Sequence, residues 1–433
     1  MRELAKEMVK KGIQASDPEK LVQKNIDVKG QEISICGKTF HRKNYRKIVL
    51  LGIGKASVPM AIGCKKLEPD DGFLITTSNK DDFEDISPVK VKTAHHPYPT
   101  QLNVDATEEL LSKVEEKEDA LFIFLISGGG SALFTSPVKG IRASEINELN
   151  QLLIRSGANI HEINTVRKHV SKVKGGRFGD LCSNKSDLVS LIISDVVGDD
   201  ISVIASGPTY PDDSTYEDAE KILKEYDLWE RIPKSISDHI QSGLKGQVEE
   251  TPTELNVDNF LIGNNLIALQ GAKKVANKND LDSIILTSQN KGEAKEVAKP
   301  LTSIAKEMQD TGNPIETPSA LIIGGETTVT VNSKDIKTGK GGPNRELVLS
   351  ASIEIQDREN IVVISVDSDG IDGMDKAGAI GDTSTVKRCE FDPKDHLKRH
   401  DTQPYFESIN DSIEFESRTN VNDITIIIVG KKE

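Results

Sequence analysis

Aromatic side chains and cysteines are scarce in this 433-residue chain. Phe, Trp and Tyr make up 4% of it, with a single tryptophan, which leaves few rings on which single-stranded nucleic acid could stack. The four cysteines, Cys36, Cys64, Cys182 and Cys389, lie far apart, whereas zinc knuckles and disulfide frameworks need paired spacings. We therefore expect isolated, reduced thiols of the kind usual in cytosolic proteins.

Basic residues and long apolar runs are also in short supply. The 55 lysines and arginines face 69 aspartates and glutamates, a net charge of −14 that disfavours binding to nucleic acid or to an anionic membrane. No stretch approaches the roughly 18 apolar residues of a membrane span, and the first 20 residues lack the apolar segment of a signal peptide. The sequence predicts a soluble, cytoplasmic protein with small-molecule partners, and a homodimer is left open.

Short apolar runs rich in β-branched residues recur along the chain, each followed by a polar or glycine-rich turn and a segment with helical periodicity. This alternation is typical of a parallel sheet covered by helices on both faces. The predicted strands are 47–53, 121–126, 188–193, 283–288, 319–323, 361–366 and 424–429. The predicted helices are 55–68, 103–117, 144–158, 216–227, 264–278, 292–310 and 344–355. The pattern predicts an α/β fold with mostly parallel sheets.

The length is enough for two or three domains of about 100–200 residues each. A polar stretch between about 233 and 256 is punctuated by Pro233, Gly243, Gly246 and Pro252. We therefore predict two α/β domains, 1–245 and 246–433, with a hinge or cleft between them.

The turn after the first predicted strand, Gly52-Ile53-Gly54-Lys55-Ala56-Ser57, lies where ligands bind in open α/β sheets. It is not a P-loop, because Ala56 follows the lysine, and it is not GxGxxG, because Ser57 replaces the third glycine. A lysine in the first turn of a helix is unfavourable against the helix dipole unless an anion shares the site. We predict a functional role for Lys55; the alternative is a solvated lysine at a tight turn.

A triple-glycine turn follows the strand 121–126. Consecutive glycines allow backbone N–H groups to converge on an anion with no Cβ in the way. The predicted phosphate-binding residues are Ser127, Gly128, Gly129, Gly130 and Ser131. The alternative is a flexible loop.

Six basic or potentially basic side chains lie within eleven residues, 167–177, which suggests a local anion site in this acidic chain. Arg167 and Ser171 share a helix face at the i, i+4 spacing. The alternative is an ordinary exposed basic helix.

Asp195 comes just after the strand 188–193. A carboxylate there suits a Mg²⁺ ligand, because Mg²⁺ typically takes one or two carboxylates plus substrate phosphates. It equally suits a general base, and a helix-capping aspartate is the third alternative.

The second half of the chain offers two further candidate sites. Pro343 suits the first position of a helix, so that Lys340, Gly341 and Gly342 would direct backbone N–H groups to an anion. The acidic turn 367–373 fails the EF-hand pattern at its fifth and sixth positions. Asp369 is the candidate Mg²⁺ ligand in that turn, with a solvated capping turn as the alternative.

These motifs, in this order, resemble the glycerate 2-kinase family, whose carboxyl-terminal part is called the MOFRL domain. The matching segments are GIGKAS at 52–57, HHPYPT at 95–100, LISGGGSALFTSP at 125–137, NTVRKHVSKVKGGRF at 164–178, SDVVGDDISVIASGPTYPD at 194–212, GGETTVTV at 324–331, GKGGPNREL at 339–347, DSDGIDGMDKAGA at 367–379 and NVND at 420–423.

The resemblance implies ATP- and Mg²⁺-dependent phosphorylation of D-glycerate at its 2-hydroxyl, which gives 2-phosphoglycerate and ADP. It also implies a Rossmann-like N-terminal domain, a smaller MOFRL domain and an active site in the cleft between them. Lys55 is the lysine of the family's GxGKA motif and is implied to be important for catalysis.

Two departures from the family pattern affect the candidate residues. The family usually has GGRNQE where this chain has GGPNRE at 341–346, so Pro343 occupies the family's arginine position. Arg345 comes two residues later, on a different helix face. The family's HPxPD ends here in Thr100, which removes a carboxylate.

Phosphoryl transfer needs positioning, a divalent cation and cationic neutralisation of the transferred group. We predict Lys55, Asp195 and Arg345 as catalytic residues. Lys55, Arg167, His96 and Asn344 are the candidate contacts to substrate, and Asp195 and Asp369 the candidate ligands of Mg²⁺.

Two other functions are weighed. A hydroxypyruvate reductase would need a nicotinamide site, and the chain has no full GxGxxG with an acidic residue about 20 positions on. A nucleotide- or sugar-phosphate-sensing module would bind its ligand without turnover.

Overall fold

The computed structural model describes residues 1–77, 86–116, 119–184, 186–331 and 339–432. Contacts between Cα atoms divide the chain into two compact units. One is Pro18–Ile262, which we call the parallel unit, and the other combines Met1–Asp17 with Gly263–Glu433, which we call the mixed unit.

The strands are β1 Ile26–Lys29, β2 Glu32–Ile35, β3 Lys38–His41, β4 Lys47–Ile53, β5 Asp71–Thr76, β6 Val89–Thr93, β7 Ala120–Ile126, β8 Asp187–Ile193, β9 Asp258–Gly263, β10 Asp282–Glu293, β11 Ser319–Thr328, β12 Ile361–Asp367, β13 Gly378–Asp382, β14 Ser412–Ile413 and β15 Asp423–Val429. The helices are α1 Arg2–Ala15, α2 Pro18–Asn25, α3 Ser57–Gly63, α4 Gln101–Glu115, α5 Gly130–Leu133, α6 Ala143–Ser156, α7 Ile160–His169, α8 Arg177–Ser183, α9 Tyr216–Glu225, α10 Lys234–Leu244, α11 Asn265–Lys278, α12 Ala294–Thr311, α13 Pro343–Ile355, α14 Thr385–Arg388, α15 Pro393–Lys398 and α16 Thr402–Ser408.

The parallel unit is built on a six-stranded sheet with the order β6-β5-β4-β7-β8-β9. β4 runs parallel to both β5 and β7, and β5–β6 and β7–β8 are parallel pairs as well. The chain adds β5 and β6 on one side of β4, and it then returns to add β7, β8 and β9 on the other side. Ligands of open α/β sheets bind at such a reversal, beyond the carboxyl ends of the strands.

Three phenylalanine rings pack beneath the carboxyl end of β7. Phe124 on β7 lies 4.5 Å, centroid to centroid, from Phe178 of α8 and 5.9 Å from Phe134, which follows α5. All three side chains are fully buried. Because aromatic pairs at these separations add to the burial of apolar area, they anchor the segment on either side of the triple-glycine turn.

The mixed unit contains a second six-stranded sheet, with the order β10-β11-β15-β12-β13-β14. Only β10 and β11 are a parallel pair; the other neighbours are antiparallel. α1 packs closely on α11, since a Cβ added to Gly271 would lie 2.6 Å from the Cβ of Ala15. The first helix of the chain is therefore part of the same unit as the last strand.

The α/β fold class is confirmed, and all seven predicted strands are present. Five match within one residue at each end, whereas β10 and β11 each extend five residues further than predicted. The expectation of mostly parallel sheets is wrong for the mixed unit, where β15 lies antiparallel to both of its neighbours. A continuous apolar run indicates a strand buried on both faces and carries no information about its direction. No helix within the described ranges is long and apolar enough to cross a bilayer.

The predicted domain ranges, 1–245 and 246–433, stay a prediction. The compact units change at 262 and 263, because β9 completes the sheet of the parallel unit. They also assign residues 1–17 to the mixed unit. The expected active site in a cleft between two domains likewise stays a prediction.

Candidate active site

The carboxyl ends of β4 and β7 are joined by backbone hydrogen bonds at the switch point of the parallel sheet. The Lys55 N–H donates to the Gly128 carbonyl at 2.9 Å, and the Ala56 N–H donates to Ser127 Oγ at 3.1 Å. Gly54 has a φ of 113°, and a Cβ there would lie 2.3 Å from Ser127 Oγ. Gly54 is therefore required both for its conformation and for this close approach.

Each glycine of the triple-glycine turn faces a different neighbour. A Cβ on Gly128 would lie 2.5 Å from Asp195 Oδ2, and one on Gly129 would lie 3.1 Å from His96 Cδ2 and 3.4 Å from Lys55 Cγ. A Cβ on Gly130 would lie 2.9 Å from Ala205 Cβ. The absent side chains thus let Lys55, His96 and Asp195 gather around one point.

Three backbone N–H groups of the turn already donate hydrogen bonds within the protein. The Ser127 N–H donates to the Ile53 carbonyl at 3.1 Å, the Gly130 N–H donates to the Ser127 carbonyl at 3.2 Å, and the Gly129 N–H donates to Asp195. The predicted convergence of these amides on a phosphate is therefore not supported at Ser127, Gly129 and Gly130.

The Lys55 charge acts on the pKa of both Asp195 and His96. Burial raises the pKa of the Asp195 carboxyl, and the Lys55 charge and the Gly129 N–H partly oppose that rise. Partial burial and the Lys55 charge lower the pKa of His96, although its ring remains exposed to solvent. The pKa of His96 therefore lies below its usual value, and the pKa of Asp195 lies above its usual value.

A cavity of about 260 Å³ opens beside Gly129 and His96. Its lining includes three basic side chains, His96, Arg167 and Lys174, and no aspartate or glutamate among the residues that the structure describes. Ser171 lies on the same lining, but α7 ends at His169, so the prediction that Arg167 and Ser171 share a helix face is wrong. The walls away from the basic groups are largely apolar.

The basic segment 167–177 is only in part the anion site that the sequence predicted. Lys168 forms a buried ion pair with Asp212 at 2.9 Å, Lys172 pairs with Glu108 at 2.9 Å, and His169 Nε2 lies 3.1 Å from Glu250. Arg167 and Lys174 have no carboxylate partner among the described residues. Sequence reasoning named Arg167 as a site residue and missed Lys174.

The motif HHPYPT forms the loop that carries His96. Thr100 is the N-cap of α4 and forms a capping box with Asn103. The Asn103 amide also donates to the carbonyls of His95 at 2.8 Å and Ala132 at 3.0 Å, which ties the loop to the segment after the glycine turn. Because threonine and aspartate are both good N-caps, the departure at Thr100 preserves this structural role.

In the mixed unit, a carboxylate already occupies the start of α13. Asp372 Oδ1 accepts from the Asn344 N–H at 2.9 Å, and Oδ2 accepts from the Arg345 N–H at 3.0 Å. The Lys340 N–H donates to Asp401 at 2.9 Å, and a Cβ on Gly342 would lie 2.3 Å from the Asp372 carboxyl. Pro343 begins the helix as predicted, but the anion at its N-terminus is part of the protein.

Arg345 and Asn344 are buried structural residues, which corrects their predicted roles. Arg345 has no exposed surface, donates to the carbonyls of Asp375 and Lys376, and lies 3.6 Å from Asp372. Asn344 is 1% exposed and donates to Asp423 Oδ1 at 2.7 Å. The sequence spacing could not reveal this, because the partners lie 27 to 79 residues away.

Asp369 belongs to a local acidic turn. Its carboxylate accepts from the Ile371 N–H at 2.9 Å, which is the capping alternative considered for it. Two carboxyls near this turn are abnormal: burial and the charges of Asp369 and Asp423 raise the pKa of Asp367, and burial raises that of Asp423 to about 7. Among the described residues, no three His, Cys, Asp or Glu side chains group as metal ligands.

Profiles of two known families match this chain. A domain of unknown function, DUF4147, matches residues 4–241, and the MOFRL family matches residues 319–423.

Known proteins resemble the chain along almost its whole length. A glycerate 2-kinase of Pyrococcus horikoshii is 40% identical over 441 residues, which covers 100% of this chain and 98% of the relative. A solved glycerate kinase structure from Thermotoga maritima superposes with a TM-score of 0.86 at 35% identity and covers 99% of each chain. A protein of Agrobacterium vitis provisionally named a hydroxypyruvate reductase is 36% identical over 89% of this chain and 100% of its own length. The chain therefore belongs to the family defined by the DUF4147 and MOFRL profiles, which includes proteins named glycerate 2-kinase.

Proposed function

We propose that this protein is a glycerate 2-kinase, which transfers the γ-phosphoryl group of ATP to the 2-hydroxyl of D-glycerate. The observation that carries the proposal is the meeting of Lys55, Asp195 and the triple-glycine turn at the switch point of the parallel sheet. Relatives named glycerate 2-kinase, 36–40% identical over nearly the whole chain, supply the substrate and the reaction.

In the proposed reaction, the 2-hydroxyl oxygen forms a bond to the γ-phosphorus while the bond from that phosphorus to the β–γ bridging oxygen breaks. The hydroxyl proton passes to the Asp195 carboxylate, and ADP leaves. The raised pKa of Asp195 supports this role, because a base is most effective when its pKa approaches the working pH. Lys55 neutralises charge that develops on the transferred group.

Arg167 binds the glycerate carboxylate in this proposal. Its Nε donates to Asn150 Oδ1 at 2.6 Å, which leaves its two Nη groups for a bidentate contact. The absence of acidic side chains from the cavity lining supports an anionic ligand beside it. His96 borders both the cavity and the glycine turn, so it is placed to contact the substrate.

Magnesium is proposed as the divalent cation that neutralises the ATP phosphates. Mg²⁺ bound to phosphates needs only one or two protein carboxylates, so Asp195 fits as a ligand without a larger cluster. The alternative assignments of Asp195 as base and as metal ligand both stay open. Metal binding by Asp369, phosphate binding by Gly128 and Ser131, the cytoplasmic location and the homodimer remain predictions.

The decisive experiment couples the reaction to enolase, which accepts 2-phosphoglycerate and not the 3-isomer. With ATP, Mg²⁺ and D-glycerate, we expect phosphoenolpyruvate to form without added phosphoglycerate mutase. Reduction of NAD(P)⁺ by glycerate would instead indicate the hydroxypyruvate reductase. Nucleotide binding with no glycerate-dependent ADP release would indicate a sensing module.

A further inference from the structure

Lys174 lies under the segment 131–134 that follows the triple glycine, and within the described part of the chain its ammonium group bonds to that segment alone. Nζ donates to the Ser131 carbonyl at 2.6 Å, to Ser131 Oγ at 3.3 Å and to the Phe134 carbonyl at 3.3 Å. The side chain is 6% exposed, and no carboxylate of the described residues pairs with it. A lysine has three N–H donors, so all of them are used to hold residues 131–134.

A second set of bonds holds the same segment through Ser206, which the residues around Lys174 hold in turn. Ser131 Oγ lies 2.8 Å from Ser206 Oγ, which donates to Asn164 Oδ1 at 2.9 Å. The Gly175 N–H donates to the Ser206 carbonyl at 3.0 Å. The motif from Asn164 to Gly175 therefore forms a support beneath the glycine turn.

We propose that Lys174 is a positioning residue for the reaction: it fixes the 131–134 segment and thereby holds Gly128 and Gly129 against Asp195, His96 and Lys55. This inference rests on the proposed function for its kinetic consequences. Its structural part, the restraint of the turn by the ammonium group, stands independently of which reaction the site performs.

The restraint depends on the charge of Lys174. Burial, and next the Arg167 charge, lower the pKa of Lys174 to about 7. Arg167 is the charged group that acts on the ammonium, whereas Ser131 and Phe134 contribute neutral oxygens. A neutral amine has only two N–H donors, so the turn loses one bond as the pH rises through this pKa. A substrate carboxylate bound at Arg167 would offset the Arg167 charge and keep Lys174 protonated to higher pH.

Three variants test the proposal kinetically. K174M removes the donors and should lower kcat by about 10²-fold, the size expected when reacting groups are misplaced by about 1 Å. Wild-type kcat/KM should fall on the basic side with a pKa near 7, and kcat should fall at higher pH, because kcat/KM reports the free enzyme and kcat reports the substrate complex. K174R keeps the charge, so it should recover most of kcat, and its kcat/KM should no longer fall with a pKa near 7. K172M is the matched control, because Lys172 is exposed and pairs with Glu108.

Amide hydrogen exchange provides a readout that needs no activity. The N–H groups of Gly130, Leu133 and Phe134 donate within the turn, and K174M should speed their exchange while K172M should not. Unchanged exchange together with kcat within twofold of wild type would overturn the proposal. If K174M fails to fold, a K174R profile that retains the limb near pH 7 would overturn it. If the wild-type protein has no glycerate kinase activity but K174M still exchanges these amides faster than wild type, the proposed function is wrong and the restraint of the turn stands.

Discussion

The glycine-rich turn after β7 and the glycine-rich segment before α13 look alike in the sequence, but their neighbours differ. In the parallel unit, the missing side chains of Gly128 and Gly129 make room for Asp195, His96 and Lys55. In the mixed unit, the missing side chain of Gly342 makes room for Asp372, whose carboxylate bonds the first amides of α13. One turn gathers reactive groups beside a cavity, whereas the other is closed by an internal carboxylate. Glycine content therefore predicts close approach and does not by itself predict a ligand.

The largest effect is expected at Lys55, beside the glycine turn of the parallel unit. We expect K55M to lower kcat/KM by about 10³-fold, equivalent to about 4 kcal/mol, because the charge that stabilises the transferred group is lost. The enolase-coupled assay measures this, and K66M, which changes an exposed lysine of the same unit, serves as the control. A loss smaller than about tenfold would show that Lys55 has no part in the chemistry.

The corresponding test in the mixed unit is D372A. It should lower the free energy of unfolding by about 3 kcal/mol, because Arg345 is left buried without its buried carboxylate partner and two helix amides lose their acceptor. Urea denaturation measures the change. D375A is the control and should cost less than about 1 kcal/mol, since Asp375 is half exposed. A D372A protein of normal stability that has lost its activity would place this carboxylate in the active site.

The close approach at the glycine turn is tested by G128A. The new Cβ would meet Asp195 Oδ2 at 2.5 Å, so we expect Asp195 to move and kcat to fall by about 10²-fold. G140A is the control: Gly140 has a φ of 94°, which disfavours a side chain, but a Cβ there would meet no atom within 4 Å. G140A should cost about 1 kcal/mol of stability and leave kcat unchanged. Equal activity in the two variants would contradict the contact.

A pH dependence of stability should also arise in the mixed unit. The pKa of Asp423 is raised to about 7 in the folded protein, mainly by burial and also by the charges of Asp372 and Glu326. The folded state therefore binds more protons than the unfolded state between about pH 4 and pH 7, so stability falls as the pH rises through this window. The slope from this group is at most about 1.4 kcal/mol per pH unit.

D423N should flatten that slope, because the amide does not titrate. Urea denaturation at several pH values measures the slope in wild type and variant. D310N is a useful control, since the pKa of Asp310 is lowered to about 2 beside Arg358 and that group does not titrate in the same window. A slope unchanged in D423N would mean that this carboxyl is ionised throughout.

The strands were predictable because burial on both faces leaves a continuous apolar run, as β4 and β7 illustrate. Strand direction was not predictable for β15, because direction depends on which neighbours a strand pairs with. The end of the parallel unit was missed for a similar reason. β9 has only two fully buried residues, so its membership in the sheet left a weak signal in the sequence.

The candidate site was partly predictable. Lys55 and Asp195 stand directly after apolar runs, and the carboxyl ends of parallel strands meet at one edge of a sheet. The roles proposed for Arg345 and Asn344 were not supported, because their burial depends on Asp372 and Asp423, which are distant along the chain. Lys174 was missed because it stands in a run of basic residues, and the sequence does not show that Lys168 and Lys172 have acidic partners whereas Lys174 has none among the described residues.

The order of apolar runs and glycine-rich turns, by itself, determined that this chain forms an α/β protein and where its reactive loops begin. Those features are local, since backbone conformation and burial pattern are encoded within a few neighbouring residues. Tertiary structure decided which polar groups remain available, because each charged side chain is either neutralised or left free by partners remote in sequence. Arg345 is enclosed with Asp372, whereas Arg167 faces a cavity whose lining, within the described residues, contains no acidic side chain.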